Sequence, residues 1–269
     1  MAGMLGLSIR VLPGSTMHEH RCLAWRDIGQ IGLDAEQAWY RQYMAFIDAL
    51  VERAEGRYPV SHGMLSGPTD LLSSFRGPTQ AIMDLVDQPG EAEEAIWHFA
   101  RILEEITRLA WQRIPLYHGG YFDAQYQLWT PGPIIRMQED AAALYSPDLY
   151  RRFVQPVDRY LAGRFESAFM HLHTTTLFLL DEILEIEELR CLEMNYEVHS
   201  GGPPIDELLP YLLRIQEAER CLILRGSFNE DELCQVIEGL DPRGLYLYIM
   251  VESVDEVRTL RRLGGLSST

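Results

Sequence analysis

The chain of 269 residues contains no lysine; all 23 of its basic residues are arginine. Schiff-base aldolases, pyridoxal phosphate enzymes and Walker-type phosphate loops are excluded, because each needs a side-chain primary amine. Cysteine is scarce as well. Cys22, Cys191, Cys221 and Cys234 lie far apart and form no C-x-x-C pair, which excludes a disulfide scaffold or a zinc ribbon and points to a reducing, cytoplasmic setting. No apolar run approaches the ~20 residues that span a bilayer. The stretch Met1 to Leu12 is too short and too interrupted for a signal peptide, so neither a membrane nor export is expected. Positive charge is outweighed: 40 acidic residues give a formal net charge of −17, a field that repels phosphate and makes nucleic acid an unexpected partner. Linkers, low-complexity tracts and fixed-period repeats are absent, so a single domain over residues 1–269 is predicted.

What is present suffices for a large core, at 47% hydrophobic residues. Apolar periodicity predicts a helix over Glu36 to Glu55, a strand over Tyr58 to Leu65, a helix over Gly90 to Arg113 and a strand over Gly120 to Leu128. Ser146 and Pro147 are a cap and first-turn pair opening a helix to about Arg164. Strands at Ser167 to His173, Arg190 to Tyr196, Arg220 to Gly226 and Leu245 to Glu252 then alternate with helices near Leu177 to Leu184, at Ile205 to Ala218, at Asn229 to Leu240 and from Ser253. That is the spacing of βαβ crossovers. No glycine-rich turn follows a strand to favour a dinucleotide fold, so the prediction is α/β, a TIM-type (β/α)8 barrel. With only a weak further strand at Leu5 to Leu12, the barrel is expected to be abbreviated at its N-terminal end.

In such a barrel chemistry belongs at the C-terminal ends of the strands. His171 and His173 alternate on one strand, so both imidazoles share a face and form a ready pair for Zn²⁺, with a third ligand sought among His62, Asp123, Glu193, His199 and Glu252. A structural use, one imidazole on buried backbone and the other in solvent, fits the same pattern. Glu193 and Asn195 also share a face, and a carboxylate turned inward needs a partner. Thr69 and Arg76 flank a turn suited to holding a carboxylate, although Thr69 or Asp70 also suits a helix cap. Tyr121, Asp123, Gln125 and Gln127 alternate as a polar strand face, a pocket candidate. Acids in Arg136 to Asp140 complement a helix dipole, and Cys191 and Cys234 read as inert thiols.

Several segments in order resemble the uroporphyrinogen decarboxylase superfamily, which includes cobalamin-linked methyltransferases. They are Gly67-Pro68-Thr69 with Arg76-Gly77, Asp84 to Pro89, Ser146 to Tyr150 with Gln155-Pro156, His171-Leu172-His173, and Leu240 to Leu245, covering residues 58–262. The resemblance implies an eightfold α/β barrel. In the methyltransferase branch a His-x-Cys pair with a later Cys binds zinc that activates a thiol; His171 matches the His, and His173 stands at the Cys position. The decarboxylase branch departs further, since its arginine-rich N-terminal motif and early aspartate have no counterpart before Gly67.

The expectation is therefore a zinc-dependent methyltransferase working on a small molecule with a corrinoid protein as partner. His171, His173 and Glu252 are its expected metal ligands, Arg76, Asp123, Glu193 and Asn195 its catalytic groups, and His62, Thr69, Tyr121 and Gln125 its substrate contacts. Alternatives are a cofactor-free tetrapyrrole decarboxylase and a catalytically inactive relative. A metal-dependent hydrolase fits less well, because its usual carboxylated lysine cannot exist here. Barrels of this superfamily pair, and Trp39 to Phe46 is a candidate homodimer interface as well as an ordinary helix core face.

Overall fold

The computed structural model describes residues 1–263 as a mixed α/β protein. The chain forms two compact units, Met1–Ala168 and Phe169–Thr269. Among the described residues, no helix is long and apolar enough to cross a membrane.

The first unit is mostly helical. A hairpin of β1 (Ile9–Leu12) and β2 (Ser15–His18) is followed by α1 (Trp25–Ile28), α2 (Ala38–Ala54), α3 (Pro68–Arg76), α4 (Pro78–Asp87) and α5 (Pro89–Arg113). Three of these begin with proline, whose fixed φ and missing N–H suit the first helical turn. Gly77 joins α3 to α4 at φ 84°, a left-handed conformation that glycine adopts without steric cost. Helix α5 buries Ala92, Ile96, Phe99, Leu103 and Ile106, a three-to-four-residue stripe, and Phe99 stacks on Phe75 of α3 at 5.5 Å. Helix α2 buries Met44 and Ile47 and leaves Trp39 and Phe46 exposed. A second hairpin, β3 (Tyr121–Asp123) with β4 (Leu128–Thr130), precedes the wholly buried β5 (Ile134–Met137). The unit ends in α6 (Pro147–Leu149), a π turn and α7 (Gln155–Gly163), with the Ser146 hydroxyl accepting from the Leu149 N–H as the sequence predicts.

The second unit is a parallel sheet in sequential order. Strands β6 (Ser167–Leu172, starting at the last two residues of the first unit), β7 (Cys191–Asn195), β8 (Cys221–Gly226) and β9 (Leu245–Ile249) alternate with α8 (Leu180–Leu184), α9 (Ile205–Glu217), α10 (Glu230–Gly239) and α11 (Val254–Leu263). Each strand and its helix fall within a few residues of the expected spans. The register aligns His171 with Glu193, Ile223 and Tyr246, and Asn195 with Arg225 and Tyr248. Leu172, Met194, Leu224 and Leu247 form the intervening row. Because side chains alternate between sheet faces, the two polar rows share one face and the aliphatic rows take the other.

The first half departs from expectation. Tyr58 to Leu65 forms no strand; Pro59 lacks a donor, and Ser61 and His62 side chains bond the neighbouring backbone instead. Leu5 to Leu12 supplies an exposed antiparallel hairpin strand. Gly120 to Leu128 folds back on itself because Asp123 Oδ1 accepts from the Tyr126 N–H and Gln127 turns left-handed at φ 56°. The described strands thus form no closed eight-stranded barrel.

Candidate functional site

The polar face of the second unit carries a continuous chain of side chains. Strand pairing sets His171 beside Glu193, and the imidazole Nδ1 donates to the carboxylate Oε2 in a fully buried contact. His173, one residue beyond β6, bonds Glu197 through Nδ1 at 2.8 Å. The two rings meet edge to face with centroids 4.6 Å apart, and their Nε2 atoms face each other at 3.1 Å. Asn195 extends the chain: its Nδ2 donates to Glu197 Oε1 at 2.9 Å, and its Oδ1 accepts from Arg225 Nη1 at 3.0 Å. Arg225 lies over the Tyr248 ring, 5.7 Å from the centroid.

The tautomers follow from the partners, since a carboxylate only accepts and so each Nδ1 carries its hydrogen. Two imidazole nitrogens 3.1 Å apart are placed to share a positive centre, a metal ion or a proton. Imidazoles oriented by carboxylates on the far nitrogen are the usual supporting arrangement of a histidine metal site, so these residues fit the ion expected from the sequence. Glu193 serves here as the carboxylate behind His171 rather than as a ligand beside it.

Of the other expected residues, Glu252 is exposed and contacts neither imidazole. It lines a cavity of about 670 Å³ beyond β8 and β9 with His199, Phe228, Asn229, Glu232 and Glu256. Burial pushes the Cys191 thiol up to about 12, the inert state the sequence indicates.

In the first unit three candidates gather around Trp111. The His62 ring packs against it at 4.8 Å and Tyr121 at 5.0 Å, and Asp123 lies close enough to act on His62 by charge. Burial holds His62 below the usual histidine value, against the opposing pull of its bond to the Gly63 carbonyl and of Asp123. Gln125 stands apart on the exposed tip of the hairpin. Arg76 is buried and engaged: its Nε donates to Asp84 Oδ2 at 2.7 Å, its Nη1 donates to the Leu23 carbonyl, and Trp25 covers its face at 4.1 Å. Thr69 gives its hydroxyl and its N–H to Glu139 Oε2, the latter at 2.9 Å.

Sequence reasoning missed Glu197 and Arg225. Glu197 carries a weak signal in its two-residue offset from Asn195. Arg225 carries none, because only strand register places it beside Asn195.

No protein-family model matches the chain, and no curated protein matches it in sequence. Among solved structures, a methyltransferase from Methanosarcina mazei superposes with a TM-score of 0.68. The match is 13% identical and covers 97% of this chain and 76% of that one. The likeness is one of fold.

Proposed function

We propose that this protein is a methyltransferase of the uroporphyrinogen decarboxylase superfamily, built on an incomplete TIM-type barrel, in which Nε2 of His171 and Nε2 of His173 hold a zinc ion. The observation that carries the reading is the facing pair of Nε2 atoms at 3.1 Å, each ring held by a carboxylate on its opposite nitrogen. The fold shared with a methyltransferase supports it. Zinc bound there supplies a Lewis acid that lowers the pKa of a coordinated thiol or water. Glu193 and Glu197 keep the Nδ1 hydrogens and turn the rings, and the negative charge of both carboxylates offsets part of the charge that a missing thiolate ligand would otherwise supply. Asn195 donates to Glu197 and is itself held by Arg225, which donates to its Oδ1. A corrinoid protein as methyl donor and a small thiol as acceptor complete the reading.

The test is metal content by elemental analysis of purified wild type, His171→Ala and His173→Ala. About one equivalent of zinc is expected in wild type and none in either variant. Zinc-dependent demethylation of methylcobalamin by a thiol should disappear in the same two variants. Metal-free wild type after growth with added zinc overturns the proposal and leaves a shared proton between the imidazoles, an acid-base pair.

A further inference from the structure

Strand β9 pairs with β8 and stands at the end of the strand order. Bonds from the Leu222 N–H to the Gly244 carbonyl and from the Met250 N–H to the Gly226 carbonyl fix the parallel ladder. That ladder turns the backbone groups of Tyr246 and Tyr248 towards β8 and those of Leu245, Leu247 and Ile249 outward. Among the described residues, the Leu245 N–H is the one outward donor with a backbone acceptor, the Pro242 carbonyl at 3.4 Å. Protein sheets blunt such an edge with lysine, proline or an inward charge. This chain has no lysine, and Gly244 to Val251 is a run without charge or proline in a molecule of net charge −17. Every residue of β9 is part-exposed, whereas the middle residues of β6, β7 and β8 are buried.

The edge is complementary to itself. Leu245-Tyr246-Leu247-Tyr248-Ile249 reads nearly the same in both directions, so an antiparallel copy centred on Leu247 opposes like with like. Leu247 meets Leu247 and Leu245 meets Ile249, the pairs whose outward groups exchange N–H···O=C bonds. Tyr246 meets Tyr248, a cross-strand aromatic pair that extends the stack the two rings form within one chain at 6.2 Å. The flanking charges suit the same register. Arg243 opposes Val251 and Glu252 opposes Pro242, so each exposed guanidinium falls one position from the exposed carboxylate of the other copy, at both ends by symmetry. The Arg243 Nε and Nη2 hold Asp241 of their own chain, which leaves Nη1 for that carboxylate. We infer that β9 is a homodimer interface at which two copies join edge to edge across a two-fold axis into one continuous sheet. An antiparallel joint at the edge of a parallel sheet is a common mixed arrangement. The interface does not depend on the ion proposed between the imidazoles.

Sedimentation velocity of the intact protein over a range of concentrations, at about 0.15 M salt to screen its net charge, tests the inference. Wild type should show a dimer that grows with concentration, and hydrogen exchange over the same range should show β9 amides gaining protection. Leu247→Pro removes an outward N–H and leaves the ladder to β8 intact, so it should give a folded monomer. Arg243→Glu should weaken dimerisation about two- to thirtyfold, the worth of two exposed ion pairs. Combining it with Glu252→Arg should restore the wild-type affinity. A monomer at every concentration overturns the inference, as does a dimer without concentration-dependent protection of β9. So does a dimer that survives Leu247→Pro, which would place the interface elsewhere, such as at the exposed Trp39 and Phe46 of α2. If Leu247→Pro does not fold, the charge pair decides, and a double variant no tighter than Arg243→Glu refutes the β9 joint.

Discussion

At the scale of single residues, the chemistry turns on which atom of each side chain is already taken. His171 and His173 were legible as a pair because a strand repeats every two residues. The sequence also marked Glu193 as a carboxylate in need of a partner, which proves to be the Nδ1 of His171. Replacing Glu193 or Glu197 by glutamine keeps an acceptor but removes the charge behind the imidazole, and zinc affinity should fall about 10- to 100-fold in each variant. Competition against a chromophoric chelator measures this, and unchanged affinity in both variants would detach the carboxylates from the metal site. Arg76 illustrates the limit of motif reading. It was expected to face a substrate, but it is paired with Asp84, whose side chain is 0% exposed. Arg76→Met should strand that carboxylate and cost about 3–5 kcal/mol in urea unfolding. A loss well under 1 kcal/mol would show Asp84 taking up a proton or another partner instead.

Among elements, the N-terminus of α3 meets the segment after β5, and a group of buried acids gathers there and on α7. Thr69 holds Glu139, Tyr150 donates to Asp158 at 2.6 Å, and at Gly67 a Cβ would strike the Gln138 carbonyl. Burial first, then the charge of Asp140, pushes Asp70 up to about 7. Burial first, with Asp70 adding to it against the Tyr150 bond, pushes Asp158 up to about 7 as well, and Glu139 is raised for like reasons. Since these values exceed the ordinary 3.8 of an unfolded aspartate, the folded state binds protons more tightly between about pH 4 and pH 7. The stabilisation is fully present below that window and is lost as pH rises through it. Urea midpoints taken across the window should therefore fall with rising pH, and the slope should flatten in Asp158→Asn; a midpoint that rises with pH would contradict the burial of these acids. None of this was readable as linear sequence, where Glu139 and Asp140 pass for helix-dipole partners and Asp70 for a cap. The strands of the second unit were readable because each is an apolar run with a helix behind it. Strand β5 was not, being four buried residues after Pro131-Gly132-Pro133 with no alternation to mark it.

For the whole molecule, a formal charge of −17 without a single lysine sets the long-range field. Self-repulsion of that size is screened as the Debye length drops from about 30 Å at 0.01 M salt to about 8 Å at 0.15 M. The melting temperature should rise over that interval, as sodium chloride titration by scanning calorimetry would register, whereas a steady fall would mean that local ion pairs outweigh the net field. Composition and period alone determined this field, the exclusion of lysine chemistry, the α/β alternation of the second half and the shared face of His171 and His173. Those properties follow from residue type and spacing, which the chain carries before it folds. Tertiary structure decided the rest. It turned the two Nε2 atoms towards each other, joined Asn195 to Glu197 and to Arg225, and spent Arg76 on Asp84. The Asn195–Arg225 contact joins residues 30 apart through strand register, and the other pairs join residues two to eight apart whose side-chain directions packing selects, so no residue pattern encodes which atom will meet which.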